Sequence, residues 1–270
     1  MYIQPLRDAS YKDIHQVGGK AASLGEMLQA GIRVPDGFVI TTKAYKKYRQ
    51  ELPDAFSQEL LEAFDTLGAE RVAVRSSSVG EDSDDASWAG QLESVLNVTR
   101  EKLVDAVKVC WESTDSARVR SYAKTHGASQ QDLEVAVVVQ KMVDSEVAGV
   151  AFSTNPITGN DQEVLVEAVH GLGELLVQGS VTPDTYMLSK SDGSLIEYSP
   201  NSQTEKLVYQ DGQTKTVSQT PGQRTLTDQQ LVALLQVVKK IEGYYGKPQD
   251  IEWAQSRGRL YIVQARPITT

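Results

Sequence analysis

Three residues near the end of the chain, Glu252, Gln264 and Arg266, carry side chains that together can handle a metal and a phosphate. Magnesium takes oxygen ligands and leaves room for substrate oxygens, which suits a carboxylate and an amide. A guanidinium beside them grips phosphate in a two-pronged way. Ile251 and Trp253 alternate with Glu252 and Ala254, and the stretch from Leu260 to Val263 is apolar on both faces, so both segments read as strands buried on two sides. A carboxylate held there needs a positive partner, because an unpaired one is costly or neutralises. The alternative reading is a Glu-Arg ion pair in a structural hairpin. The turn decides whether the three groups meet. Ser256-Arg257-Gly258 read as a three-residue loop, with Gly258 left-handed, points the even-numbered residues of both strands to one face. A two-residue Arg257-Gly258 turn would send Gln264 to the opposite face.

Cations with phosphate-binding potential also occur early in the chain. Val17-Gly-Gly-Lys-Ala-Ala-Ser-Leu-Gly-Glu-Met27 reads as a glycine pair opening a helix, with Lys20 in its first turn, where backbone N–H groups and an ammonium can meet one anion. It lacks the further Gly and Ser/Thr of a P-loop, so a solvated lysine stands as the alternative. Arg75 lies in a strand that runs into Ser76-Ser77-Ser78, and Gly90, in the returning segment, permits a ligand to approach the backbone closely. A strand-loop-strand hairpin with a surface arginine is the competing reading. The apolar run Glu134–Val143 ends in Gln140, Lys141 and Met142, and such an ending can present a backbone edge and a thioether to a flat base. A core strand with a polar exit fits equally well.

The elements that position these residues follow from periodicity. Helical patterns run from Val17 to a stop at Gly31, over residues 53–67, 100–112 and 114–126, and from Thr227 to about Tyr245. Thr227 and Gln230 stand at capping-box spacing. From Val147 short strands and turns take over, and residues 199–226 read as a hairpin or an excursion. The chain of 270 residues carries a net charge of -9, which argues against nucleic-acid and anionic-membrane partners but not against a nucleotide held by local cations. A single cysteine, Cys110, permits no intramolecular disulfide, and no signal peptide or membrane-length apolar run is found, so the expectation is a cytoplasmic protein.

Several segments in order resemble the amino-terminal nucleotide-binding domain of the phosphoenolpyruvate-utilising dikinases. They are Val17-Gly-Gly-Lys-Ala-Ala-Ser-Leu-Gly-Glu-Met, Val72-Ala-Val-Arg-Ser-Ser, Asp85-Ala-Ser-Trp-Ala-Gly-Gln, Val139-Gln-Lys-Met-Val, Gly171-Leu-Gly-Glu, Val177-Gln-Gly, Pro183-Asp, Asp250-Ile-Glu-Trp-Ala and Tyr261-Ile-Val-Gln-Ala-Arg-Pro. Phosphoenolpyruvate synthase and pyruvate phosphate dikinase belong to that group, and rifamycin phosphotransferase is a relative. The resemblance implies an α+β, ATP-grasp fold of two lobes, residues 1–141 and 142–270, holding ATP between them. It implies that Lys20 and Arg75 bind phosphates, that Gly90 lies under a covering loop, and that Gln140 and Met142 border the adenine. Glu252 and Gln264 would hold Mg2+, and Arg266 would grip the transferring phosphate, making Lys20, Arg75 and Arg266 the catalytic cations.

The implied chemistry moves a phosphoryl group from ATP to a histidine on a separate swivelling domain and then to pyruvate, which a third domain binds. His15, His126 and His170 lack the glycine-rich context of that acceptor. The acceptor is therefore expected in trans or on a further part of the same enzyme, and this chain alone is expected not to complete turnover. Two other readings share the ATP site: an antibiotic phosphotransferase of the rifamycin type, and a nucleotide-sensing module that transfers nothing.

Overall fold

The computed structural model describes residues 1–79, 92–116 and 134–268 in full, together with the backbone at 82–83 and 86–87 and residue 119. The chain divides into two compact units. The first comprises 1–31 and 35–142, and the second 32–34 and 143–268. The short piece Ile32–Val34 goes with the second because the carbonyl of Arg33 accepts the N–H of Ile262 at 2.9 Å. Every pairing between named strands is antiparallel, so the class is α+β.

In the first unit β1 (Ile3–Pro5), β2 (Gly37–Ile40), β3 (Val72–Ser78), β6 (Ser94–Val98) and β7 (Val135–Lys141) form a five-stranded sheet in the order β1-β2-β7-β3-β6. A two-residue ladder, β4 (Asp82–Ser83) with β5 (Ala86–Ser87), stands apart from it. The run Val-Ala-Val-Val-Val of β7 is apolar on both sides because the strand lies inside the sheet and is buried on both faces. Val135, Val137 and Val139 point to one face, with Val72 and Val74, into a core closed by α3 (Asp54–Leu67) and α4 (Leu103–Glu112). The opposite face, bearing Ala73, Arg75, Ser77, Ala136, Val138 and Gln140, is covered by α1 (Ile14–Gln29). A short helix, α2 (Thr42–Tyr48), follows β2. The helix expected over 114–126 falls mostly outside the described residues.

The second unit is a six-stranded sheet in the order β11-β10-β9-β8-β14-β15. Its strands are β8 (Val147–Phe152), β9 (Glu163–His170), β10 (Asp184–Ser189), β11 (Leu195–Ser199), β14 (Gln249–Ser256) and β15 (Arg259–Pro267). One turn of helix, α5 (Glu174–Val177), follows β9, and the 199–226 stretch forms the hairpin β12 (Glu205–Gln210) and β13 (Gln213–Ser218). Helix α6 (Asp228–Tyr245) buries Leu231, Leu234, Leu235, Val238 and Ile241 and packs on β14. Period-two alternation sends Ile251 and Trp253, with Ala151 and Val166, to one face of this sheet, and those side chains are fully or almost fully buried.

A buried carboxylate ties the hairpin region to the sheet. Asp184, 1% exposed, accepts hydrogen bonds from the backbone N–H groups of Asn201 and Thr225 and from the hydroxyls of Thr225 and Tyr186. Arg224 stacks over the Tyr186 and Tyr198 rings beside it. The α6 start is the capping box expected from its sequence. Thr227 N–H donates to Gln230 Oε1 at 2.7 Å, and Gln230 N–H donates to Thr227 Oγ1 at 3.3 Å. Thr227→Ala is expected to cost about 1 kcal/mol. Thermal unfolding followed by circular dichroism should place its midpoint roughly 2–4 °C below that of the parent chain.

Candidate functional site

The hairpin β14–β15 reaches the expected convergence by a different route from the one expected. The turn is not a three-residue loop: Ser256 pairs directly with Arg259, and Arg257 and Gly258 alone make the turn, with φ of 49° and 70°. Two positive φ values match the right-handed strand twist, as in a type I′ turn. Unaltered, that register would set Glu252 opposite Val263 and turn Gln264 away. A bulge intervenes, because Trp253 pairs with Ile262 whereas Glu252 pairs with Gln264, leaving Val263 as the extra residue. Glu252 and Gln264 are therefore directly opposed, Asp250 opposes Arg266, and all four share one face.

Asp250 is the residue the sequence reading passed over. Arg266 binds it with two nitrogens, Nε at 2.9 Å and Nη2 at 2.7 Å from Oδ2. Spacing offers a signal for it, since Asp250 and Glu252 are two apart in a strand and so share a side. A third acid was equally legible as the lone charge in the apolar run Val-Leu-Val-Glu-Ala-Val. This is Glu167 of β9, in line with Val150 of β8 and Glu252 of β14. Its carboxylate makes no side-chain hydrogen bond or ion pair among the described residues, and its acidity is weakened first by burial and then by the charge of Asp250. Burial likewise raises the pKa of Asp250, a push enlarged by Glu252 and opposed by Arg266. Glu174, from the Gly-Leu-Gly-Glu turn, adds a carboxylate oxygen buried without a hydrogen-bond partner, and burial raises its pKa too. Gly173 before it packs against Ala148, which by strand alternation lies on the same face as Val150.

This face thus gathers the carboxylates of Asp250, Glu252 and Glu167 with the Arg266 guanidinium, and burial weakens the acidity of Asp250 and Glu167. Glu252, Gln264 and Asp250 offer hard oxygen donors of the kind magnesium takes. No group of three or more Asp, Glu, His or Cys residues among the described residues is placed to hold a metal ion by itself, so waters or substrate oxygens would have to complete the shell. An open set suits an ion that keeps waters and phosphate oxygens in its shell.

In the first unit α1 is broken inside the glycine pair rather than opened by it. Gly18 has φ 75° and ψ 167°, a conformation essentially restricted to glycine, and a Cβ there would lie 2.1 Å from the carbonyl oxygen of Ser77. Lys20 is neither solvated nor loose. It is 7% exposed, and its ammonium donates to the Ser76 carbonyl at 2.7 Å. Arg75 and Gln140 lie on the α1-covered face of the sheet, Arg75 opposite Val138 and Gln140 opposite Ala73. The ends of this set, Ser77 and Ala73, are four residues apart on β3, about 13 Å by strand rise, a length comparable with a nucleotide from base to phosphates.

Gln140 has no free backbone edge, contrary to the sequence reading. β7 is flanked by β2 and β3, the Gln140 amide donates to the Pro35 carbonyl at 3.2 Å, and the ladder ends only when Met142 N–H donates to Arg71 O at 3.0 Å. Gly90 lies outside the described residues.

The balance of charge on the second unit's face has a stability consequence. The Glu167 carboxylate is raised in the fold, so its ionised form opposes folding above the carboxylate range, and the penalty vanishes once it is protonated in both states. Glu167→Gln in the metal-free chain is expected to raise the melting midpoint at pH 7 by about 1–3 °C. The gain should close as the pH falls towards about 4. Melting curves across that range check it, and a gap independent of pH would contradict the assignment.

Comparison with known proteins gives the same reading of the whole chain. The family model for the pyruvate phosphate dikinase AMP/ATP-binding domain matches residues 14–52 and 48–270. A probable phosphoenolpyruvate synthase from Archaeoglobus fulgidus is 39% identical over 98% of this chain and 41% of its own length. An uncharacterised phosphotransferase, YvkC, from Bacillus subtilis is 37% identical over all of this chain and 35% of its own. The chain thus spans less than half the length of these relatives. Among solved structures, D-alanine-D-alanine ligase from Helicobacter pylori aligns with 92% of this chain and 53% of its own at 10% identity, with a TM-score of 0.43. No helix among the described residues is long and apolar enough to cross a membrane. The chain, with its two α+β units, belongs to the pyruvate phosphate dikinase AMP/ATP-binding domain family.

Proposed function

We propose that this chain binds MgATP and donates its phosphoryl group to a histidine on a separate swivelling domain, on the way from pyruvate to phosphoenolpyruvate. The observation that carries the reading is the face shared by Asp250, Glu252, Gln264, Arg266 and Glu167, where carboxylate and amide oxygens of the kind a divalent cation takes stand beside a guanidinium of the kind that grips phosphate. The relatives named phosphoenolpyruvate synthase supply the direction of transfer and the pyruvate acceptor. Their greater length supports placing the swivelling and pyruvate-binding domains in the remainder of a longer enzyme.

Phosphoryl transfer asks little covalent chemistry of a protein, because positioning and neutralisation lower most of the barrier. Arg266 grips the transferring phosphate. Its anchorage on Asp250 holds the guanidinium plane in place, so less side-chain entropy is lost on binding. Lys20 and Arg75 neutralise the remaining phosphate oxygens, and Gln140 and Met142 border the base. Glu252 and Gln264 are the ligands for Mg2+, with Asp250 alongside, and the ion when bound neutralises charge that builds on the phosphates. The acceptor imidazole nitrogen then attacks phosphorus in line as the bond to the leaving phosphate oxygen breaks.

The test supplies MgATP labelled at both the β and γ phosphates and a separately produced phosphohistidine domain from a relative. Label on that domain, stable to base and labile to acid, is expected. Glu252→Gln and Arg266→Ala should each reduce the labelling rate about 100-fold or more. ATP binding with no label under any of these conditions would instead establish a nucleotide-sensing module. Label appearing on rifamycin rather than pyruvate, once the full-length enzyme is supplied, would establish the antibiotic phosphotransferase.

A further inference from the structure

The break in α1 leaves a problem that one hydroxyl from another element solves. Helix continuation across Gly18 is impossible at φ 75° and ψ 167°, so a new helical segment starts just after it with backbone N–H groups that have no intrahelical acceptor. Ser77 of β3 sits against this break. Its Oγ accepts the N–H of Ala21 at 3.1 Å and donates to the carbonyl of Val17 at 2.9 Å, so it bridges the last carbonyl before the break and a donor after it. Ser77 is fully buried, and its carbonyl and hydroxyl lie where a Gly18 side chain would stand. The neighbouring residue, Ser76, then receives the Lys20 ammonium on its carbonyl. Two consecutive residues of β3 therefore hold both ends of Lys20, the backbone by way of Ala21 and the ammonium directly.

We infer that Ser77 is a positioning residue for Lys20, setting where its ammonium meets the phosphates of the nucleotide. This rests on the proposed role of Lys20 as a phosphate contact. It also changes how this segment handles an anion. The N–H of Ala21 is committed to Ser77, so that amide is not offered to an anion, and the ammonium is the aimed group.

Isothermal titration of the whole chain with MgATP and with adenosine tests this through a double-mutant cycle. Lys20→Ala is expected to weaken MgATP binding about 10- to 100-fold, as for a lost charge-assisted hydrogen bond, and to leave adenosine binding unchanged. Ser77→Ala is expected to weaken MgATP binding about 10-fold with adenosine again unchanged, and to add less than about twofold when Lys20 is already alanine. Ser77→Cys, which fills the same space with a weaker hydrogen-bonding group, should fall between Ser77→Ala and the parent, and it serves if Ser77→Ala does not fold. Leu60→Val, in the core on the other side of the sheet, controls for lost stability and should leave both affinities unchanged.

The outcomes separate the two readings. If Lys20→Ala binds MgATP as the parent does, the phosphate role of Lys20 is wrong. If Lys20→Ala weakens binding while Ser77→Ala and Ser77→Cys do not, or if the Ser77 effect is undiminished on the Lys20→Ala background, Ser77 does not position Lys20 and the inference is overturned.

Discussion

A carboxylate taken out of water has to be answered by positive charge or by hydrogen-bond donors, and this chain answers the demand in two opposite ways. Asp184 is surrounded by neutral donors from backbone and hydroxyls, and the result is a fastening between the sheet and the 199–226 region. Asp250 is answered by the Arg266 guanidinium, and the Glu167 carboxylate makes no side-chain hydrogen bond or ion pair among the described residues. One sheet therefore contains an acid satisfied by neutral donors, which holds structure together, and another, Glu167, half-buried without them. The second arrangement lowers the stability of the metal-free fold, and it is retained where binding recovers the difference.

The same separation of roles recurs in the first unit. The face of its sheet that packs on α3 and α4 carries the valines of β3 and β7 with Ser76 and Ser78 at one end, while the face under α1 carries Arg75, Ser77 and Gln140. Strand alternation is enough to generate this division, because Val72 and Val74 are forced to the side opposite Ala73 and Arg75. Both sides contribute buried area, since Val39, Ala136 and Val138 are fully buried beneath α1 beside these polar groups.

Much of this was legible in the sequence, and the misses have identifiable causes. The α6 capping box and the hairpin at 205–218 follow from local rules, which need no tertiary information. The sharing of a face by Glu252, Gln264 and Arg266 was also legible, but the loop invoked to produce it was wrong. Two departures from ideal geometry, a shorter turn and a bulge, cancel, and nothing in the residue types at Val263 announces a bulge. Asp250 is legible only through the i, i+2 relation to Glu252, which the burial pattern of single residues does not display. The burial of Lys20 was hidden for a different reason. Its ammonium meets a carbonyl 56 residues away, that of Ser76, and only the fold brings the two near.

The extra residue at Val263 leaves β15 one step out of phase with its own turn. Parity, and not the chemistry of any one side chain, decides which side of the sheet receives Gln264 and Arg266. Deleting Val263 would straighten the ladder and leave Gln264 opposite Glu252, whereas one further residue between Gly258 and Gln264, without a second bulge, would turn Gln264 and Arg266 to the other side.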